Sequence, residues 1–210
     1  MALYRTYKED GLLWGIWKME ETVDELLSLF PRPDFYQNEM QRFSTESRRK
    51  EWLTTRALLF ALCGEEKEID YYPNGKPFLS DRSFYISISH TRGFVAVILH
   101  PDVEVGIDIE QQSDRVLKVC SKFVNEDEFA AIIPEKEVQH LLLHWSAKET
   151  LFKLMNEQGV DFKAHLHIYP FIPADNGMFV GEELKTGYRK KYNIHYIIHP
   201  SFVMTWARGV

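Results

Sequence analysis

The chain has few of the features that cross-link a protein by disulfides or anchor it in a membrane. Only Cys63 and Cys120 are cysteines among 210 residues, too few for a disulfide framework. No apolar run approaches the roughly 20 residues that cross a bilayer, and no N-terminal segment combines a basic start, an apolar stretch and a small-residue cleavage site. We therefore expect a cytoplasmic protein without a membrane partner.

Excess positive charge is also missing. The chain has 25 basic and 31 acidic residues, for a formal net charge of −6. Binding to a nucleic-acid backbone requires clustered Lys and Arg to displace counterions, so we expect no nucleic-acid partner. The sequence contains no glycine-rich phosphate loop of the Walker type, which argues against ATP as the substrate.

The pattern of apolar residues predicts both helices and strands. Helical spacing predicts helices over residues 22–30, 34–43, 44–63, 125–133 and 137–155. In the 44–63 segment, Ser44 is the expected N-cap and Gly64 the C-terminal stop. Short segments rich in β-branched and aromatic residues predict strands over 84–89, 94–99, 103–109, 165–169, 178–180, 192–198 and 202–207. The first three of these strands are predicted to form a meander.

The order of helices followed by strands occurs twice along the chain. We therefore predict an α/β (α+β) fold made of a pseudo-two-fold pair of similar subdomains, 1–102 and 103–210. Each is expected to be a small, mainly antiparallel sheet packed on a long helix. No Gly/Ser-rich linker separates them, which favours one tightly joined body.

Two acidic residues in one predicted strand suggest a cation site. In the run from Val105 to Glu110, alternation along the strand places Asp108 and Glu110 on the same side. Neighbouring carboxylates repel each other, and a hard cation such as Mg²⁺, which prefers oxygen ligands, would compensate that repulsion. The alternative interpretation is a solvated strand face that ends in acidic residues.

The 137–155 helix is apolar in almost every direction, so we expect it to be buried. Glu149 and Lys153 are interpreted as its polar exceptions, one turn apart on a single stripe. They would add a third carboxylate and an ammonium group to the site; the alternative is a surface ion pair. His140 and His144 also lie one turn apart, but without the glutamate and third ligand that a zinc site requires.

Candidate phosphate-binding residues lie in the first half of the chain. Ser89 and His90 lie at a predicted strand end, and Lys76 lies in an Asn-Gly-Lys-Pro turn. Arg49 and Arg56 share a stripe of the 44–63 helix. The alternatives are a polar turn, a solvated loop lysine, and arginine stems packed on the core with their charged heads in water.

Four segments taken in order resemble the signature of a known family. They are Gly75-Lys76-Pro77, Ile88-Ser89-His90, Gly106-Ile107-Asp108-Ile109-Glu110 and Trp145-Ser146-Ala147-Lys148-Glu149 followed by Lys153. Their order and spacing closely resemble the 4′-phosphopantetheinyl transferases of the surfactin-synthetase-activating type. The length resembles the pseudo-dimeric branch of that family, which implies a monomer.

The resemblance implies a site between the two subdomains. Asp108, Glu110 and Glu149 would bind Mg²⁺, and Asp108, Glu149 and Lys153 would take part in catalysis. The residues implied to contact coenzyme A are Lys76, Ser89, His90, Arg56 and, less securely, Arg49.

The implied reaction is that of a holo-[acyl-carrier-protein] synthase. The 4′-phosphopantetheine group moves from coenzyme A to a serine of an apo acyl or peptidyl carrier protein, and 3′,5′-ADP leaves. Either Glu149 or a water on the metal would accept the serine proton. The alternative is a non-catalytic coenzyme A or nucleotide-binding regulatory module, which would not need three carboxylates.

A carrier protein also needs a docking surface. We expect it at Lys118 and Lys122 together with the apolar residues Val119, Phe123, Val124 and Phe129.

Overall fold

The computed structural model describes residues 3–155 and 157–209, and the chain divides into two compact units after Asp102. We call them the N-terminal unit and the C-terminal unit. Along the described chain, no helix is both long and apolar enough to span a membrane.

The N-terminal unit contains two antiparallel sheets and three helices. Its elements are β1 (Leu3–Glu9), β2 (Leu12–Lys18), α1 (Val23–Leu27), α2 (Pro33–Met40), α3 (Glu46–Cys63), β3 (Ile69–Tyr71), β4 (Pro77–Leu79), β5 (Tyr85–Thr91) and β6 (Phe94–His100). The main sheet has the order β1-β2-β6-β5, and β3 pairs with β4. Helix α3 packs on β2 and β6.

Local signals define the limits of α3. The Thr45 side chain accepts a hydrogen bond from the Arg48 backbone N–H, and Gly64 adopts the left-handed conformation that ends the helix. Its inner face carries Leu53 and Leu58, which join alternate residues of β6 in the core of this unit. The N-cap is thus Thr45, one residue after the Ser44 that was predicted.

The C-terminal unit is one antiparallel sheet with helices packed on it. Its elements are β7 (Val105–Gln111), α4 (Glu126–Ala130), α5 (Glu137–Leu154), α6 (Phe162–His165), β8 (Leu166–Ile168), β9 (Asn176–Glu183), β10 (Lys191–His199) and β11 (Phe202–Arg208). The strand order is β7-β11-β10-β9-β8. Short 3₁₀ turns occupy Asp114–Lys118, Cys120–Lys122 and Pro134–Lys136.

Helix α5 lies across β7 and β11 at close range. A Cβ atom on Gly106 would come within 2.3 Å of the Thr150 backbone oxygen and 3.0 Å of Leu154 Cγ. A glycine at this position therefore lets β7 approach the last turns of α5. That approach brings the acidic end of β7 beside the polar stripe of the helix.

The predicted fold class is confirmed: the protein is a mixed α/β structure in which each unit packs a mainly antiparallel sheet on a long helix. The pseudo-two-fold relationship stays a prediction. The meander was wrong, because β7 pairs with β11 in the other sheet, whereas β5 and β6 pair with each other.

The N-terminal hairpin of β1 and β2 was not predicted. Strand β1 is almost entirely exposed, so its sequence lacks the alternation of a half-buried strand. Its turn residues did carry a signal, since Asp10 and Gly11 both have positive φ, as Asp-Gly hairpin turns require.

Candidate functional site

One stripe of α5 carries three functional side chains. Trp145, Glu149 and Lys153 are spaced at i, i+4 and i+8, which places them on one face of the helix. Trp145 reaches Glu110 on β7, and Lys153 reaches Asp108 two residues earlier on the same strand. Glu149 lies between these two contacts along the helix.

Asp108 is buried and paired with the ammonium group of Lys153. Its side chain is only 4% exposed, and Lys153 Nζ lies 2.8 Å from Asp108 Oδ1. The same nitrogen donates to the backbone oxygen of Ile107 at 3.0 Å. Two charge-assisted bonds thus hold Lys153 against β7 in this arrangement.

Glu149 has the most strongly shifted carboxyl group of the cluster. Burial, and next the negative charge of Asp108, raise its pKa to about 7, although Lys153 opposes the change. A carboxyl group with a pKa near neutrality can exchange a proton under physiological conditions, as a general acid or base must.

Glu110 is held by the indole of Trp145. Trp145 Nε1 donates a 2.7 Å hydrogen bond to Glu110 Oε1. Burial and the charge of Asp108 raise the pKa of Glu110, and the indole bond opposes that rise by stabilising the carboxylate. Sequence reasoning missed this role of Trp145, although its spacing of four residues from Glu149 was the available signal.

The three carboxylates are the type of ligand that a hard cation prefers, but their side chains do not converge on one position. Within residues 3–155 and 157–209, no three His, Cys, Asp or Glu side chains stand close enough together to hold one metal ion. Lys153 neutralises Asp108 and Trp145 engages Glu110. Still, oxygen donors with excess negative charge are what Mg²⁺ prefers, so the donor set fits that ion.

The N-terminal unit contains a pocket of about 180 Å³. It is lined by residues of α3, by residues around the β3–β4 hairpin and by residues of β5: Arg48, Glu51, Trp52, Thr55, Arg56, Tyr71, Gly75, Pro77, Ile88 and His90. Three cationic or ionisable nitrogen groups and two aromatic rings therefore face one space. Such a lining suits an anionic ligand with a flat ring.

Arg56 is fixed by its neighbours in the wall of this pocket. It is only 8% exposed, and its guanidinium carbon lies 3.7 Å from the centre of the Trp52 ring. Its Nη1 donates to the Trp52 backbone oxygen at 3.2 Å. Burial lowers the pKa of Arg56 to about 10, which leaves it charged at neutral pH.

The neighbouring arginines of α3 point to different surroundings. Arg48 lines the pocket, and its Nη1 lies 3.3 Å from His90 Nε2. Arg49 instead donates from Nε to the backbone oxygen of Phe43 at 2.9 Å. The predicted phosphate contact was Arg49, yet Arg48 is the residue that accompanies Arg56 and His90.

The other predicted phosphate contacts, Lys76 and Ser89, are neighbours in sequence of residues that line the pocket. Lys76 stands between two lining residues, Gly75 and Pro77, and is half-buried. Ser89 is buried and alternates with Ile88 and His90, so it lies on the opposite face of β5. The pocket therefore groups Arg56 and His90 but does not include the Ser89 side chain.

Comparison with known proteins identifies the segment that holds the carboxylates. Residues 104–206, most of the C-terminal unit, match the model of the 4′-phosphopantetheinyl transferase superfamily. The match covers 103 of the 210 residues, and this segment is therefore similar to that superfamily. Asp108, Glu110, Glu149 and Lys153 all lie inside the matched residues.

Two curated relatives extend the comparison. The 4′-phosphopantetheinyl transferase AcpT of Escherichia coli (strain K12) is 30% identical over 112 residues, which cover 50% of this chain and 57% of AcpT. The 4′-phosphopantetheinyl transferase psf-1 of Bacillus pumilus is 31% identical over 108 residues, which cover 50% of this chain and 46% of psf-1. The chain thus spans about half the length of the curated relatives it matches.

The expected docking surface for a carrier protein needs a correction. Phe123 and Val124 are 1% and 4% exposed and belong to the core of the C-terminal unit, so they offer no surface. Val119 and Phe129 are exposed, as is Leu117. Apolar side chains beside Lys118 and Lys122 therefore remain at the surface, but fewer than expected.

Helix α5 also contains buried polar residues outside the stripe of Glu149 and Lys153. Glu149 and Lys153 were expected to be the polar exceptions, yet His140, His144 and Lys148 are all at most 1% exposed. Lys148 forms an ion pair with Glu128 of α4. The signal for Glu128 was the Asn125-x-x-Glu128 spacing of a capping box, which the structure contains.

Proposed function

We propose that this protein transfers the 4′-phosphopantetheine group of coenzyme A to a serine of an apo acyl or peptidyl carrier protein, with Mg²⁺, and releases 3′,5′-ADP. One observation carries the proposal: the Trp145–Glu149–Lys153 stripe of α5 engages Asp108 and Glu110 of β7 within the segment that matches the superfamily. A module that only binds nucleotides would not require this acidic cluster.

In the proposal, Asp108, Glu110 and Glu149 hold Mg²⁺. When bound, the ion would offset negative charge on the pyrophosphate of coenzyme A. Lys153 lies beside Asp108 and would supply a second positive charge close to the reacting phosphate.

The transfer requires a proton acceptor. The serine oxygen bonds to the β-phosphorus of coenzyme A while the bond from that phosphorus to the leaving ADP oxygen breaks, and the serine proton must leave. We assign this proton to Glu149, because its carboxylate lies on α5 between the Trp145–Glu110 and Lys153–Asp108 contacts and can accept a proton as a general base.

The pocket of the N-terminal unit is proposed to bind the nucleotide part of coenzyme A. Arg56, His90 and Arg48 would pair with its phosphates, and Trp52 and Tyr71 would flank the base. Arg48 here takes the role that the resemblance implied for Arg49. Lys76 and Ser89 stay in the proposal as further phosphate contacts.

The decisive experiment is the intact mass of an apo acyl carrier protein after incubation with this protein, coenzyme A and Mg²⁺. We expect a gain of one phosphopantetheinyl group, lost with EDTA or with Asp108→Ala but kept with Asp114→Ala, a matched control in an exposed position. No gain with several carrier proteins, despite measurable coenzyme A binding, would support the non-catalytic regulatory module instead.

The proposal also includes a monomer in the cytoplasm. Light scattering at working concentration tests the first point, and fractionation of the producing cells tests the second.

A further inference from the structure

A fully buried ion pair lies on the helix that carries the carboxylate cluster. Lys148 Nζ is 2.7 Å from Glu128 Oε2, and both side chains are 0% exposed. Burial lowers the pKa of Lys148. Removing two charges from water is costly, so such a pair persists only where further hydrogen bonds satisfy both groups.

Each member of the pair makes those further bonds to the backbone. Lys148 Nζ donates to the backbone oxygens of Phe123 at 2.6 Å and Phe162 at 3.0 Å. The Glu128 carboxylate accepts the backbone N–H of Ile168 at 2.8 Å and of Asn125 at 2.9 Å. The pair thus joins α5 to the start of α6, to β8 and to the segment that leads into α4.

The two phenylalanines held by Lys148 both pack on Trp145. The Trp145 ring centre lies 5.1 Å from that of Phe123 and 5.5 Å from that of Phe162. Lys148 follows Trp145 by three residues, so both project from nearly the same side of α5. The indole held between these rings donates to Glu110 at 2.7 Å.

We propose that Lys148 and Glu128 are positioning residues: by fixing the backbone at Phe123 and Phe162, they hold the rings that clamp Trp145 and thereby orient the Glu110 carboxylate. The importance of Glu110 for catalysis rests on the proposed function, whereas the clamp itself does not.

Loss of the Lys148 ammonium group would leave buried backbone acceptors without their donor. The backbone oxygens of Phe123 and Phe162 would lose a buried charged donor, which is more costly than never having had one. The segments that carry them would move to find other donors, and the rings would move with their backbone. The indole N–H would then lose its fixed direction toward Glu110.

The test uses the indole N–H of Trp145 in a ¹⁵N-labelled protein, assigned by its loss in Trp145→Phe. In Lys148→Met we expect a changed chemical shift and a faster exchange of this proton with solvent. The double variant Lys148→Met/Glu128→Gln removes both buried charges together, so it is expected to fold better than either single variant while still showing the changed resonance.

A matched control is Lys163→Met. Lys163 also donates to a backbone oxygen, that of Ser121, but at 3.3 Å and from an exposed position. It should leave the Trp145 resonance unchanged. In transfer assays, the Mg²⁺ concentration for half-maximal rate should rise about 10–100-fold in the Lys148 variants, as is typical when residues that orient metal ligands are lost. The KM for coenzyme A should stay the same.

An unchanged Trp145 resonance in a folded Lys148→Met protein, or in the double variant, would overturn the proposal and leave the pair a purely structural one. If neither folds, Phe162→Leu decides: it keeps the backbone oxygen and removes one ring of the clamp, and an unchanged resonance there overturns the proposal equally. Absence of transfer activity in the wild type would refute the proposed function, while the resonance would still decide whether the clamp exists.

Discussion

The two long helices of this protein have the same length but are stabilised in different ways. Helix α3 (Glu46–Cys63) is capped by Thr45 at its start and by Gly64 at its end. Helix α5 (Glu137–Leu154) has no side-chain cap at its start, and it is held by packing across β7 and β11. The first helix is specified largely by local sequence, and the second by its tertiary contacts.

The difference extends to their polar residues. Arg48 of α3 is exposed and lines the pocket of the N-terminal unit, where a ligand can reach it. The polar residues of α5 lie in or near the core, where burial changes their pKa values and requires partners. A buried helix therefore carries chemistry that depends on its neighbours, and four predictions test this contrast.

The largest expected effect is on Glu149. Glu149→Gln should lower kcat by about 10²–10⁴-fold, because the site loses its proton acceptor. The variant should unfold at the same or a higher temperature, since removing this charge relieves its repulsion from Asp108. The measurement combines transfer rates from intact mass with thermal unfolding.

The control for Glu149 is Glu46→Gln on the exposed start of α3, which should keep full activity. A Glu149→Gln protein that retains activity within tenfold of the wild type would remove Glu149 from the proposed mechanism.

Acid should destabilise the unit that contains α5. Burial lowers the pKa of both His140 and His144 to about 4. The positive charge of His144 adds to the downward shift of His140, and the charges of Lys148 and His167 add to that of His144. Above about pH 6.5 the two histidines are neutral in the folded and unfolded chains, so they do not affect stability. As the pH falls from 6.5 toward 4, the unfolded chain gains protons first and stability is lost, by at most about 1.4 kcal/mol per pH unit for each histidine.

Urea unfolding at pH 7, 6 and 5 measures this loss. His144→Leu should reduce the slope of stability against pH relative to the wild type. Equal slopes in the wild type and His144→Leu would mean that His144 does not titrate as its burial indicates.

Two adjacent arginines of α3 should differ in coenzyme A binding. Arg48→Met should weaken binding by roughly tenfold, the expected cost of losing a hydrogen bond to a charged group. Arg49→Met should have a smaller effect, since Arg49 bonds to the Phe43 backbone oxygen instead of lining the pocket. Calorimetric titration with coenzyme A measures both; the opposite ranking would restore Arg49 as the phosphate contact.

Two glycines next to these helices should differ in their effects on stability. Gly106→Ala should cost about 1–3 kcal/mol, because its Cβ would meet the Thr150 backbone oxygen and force β7 away from α5. Gly64→Ala should lower the free energy of unfolding by about 1 kcal/mol, because alanine adopts the positive φ of this position less readily than glycine. The added Cβ would meet no atom within 4 Å.

Denaturant unfolding gives both free energies, and transfer activity should fall only in Gly106→Ala. If Gly64→Ala proves the more damaging of the two, the close approach of β7 to α5 is less tightly packed than the structure indicates.

Much of this structure was predictable from local patterns. The length of α3, the strand of Asp108 and Glu110, and the stripe of Glu149 and Lys153 all follow from periodicity and capping. The exposed strand β1 was missed because alternation marks only strands with one buried face. The choice between Arg48 and Arg49 was missed because adjacent helical residues differ in direction by about 100°, and only neighbours decide which direction meets a pocket.

The amino-acid sequence by itself determined where most of the helices and strands lie, which residues are acidic or basic, and which family signature they resemble. The tertiary structure alone decided that β7 joins β11, that Trp145 bonds Glu110, and that Lys148 finds Glu128 in the core. The physical reason is the separation along the chain over which each effect acts. Periodicity and caps act within a few residues. The Lys148–Glu128 ion pair and the Trp145–Glu110 hydrogen bond join residues 20 or more positions apart, so they exist only once the chain has folded.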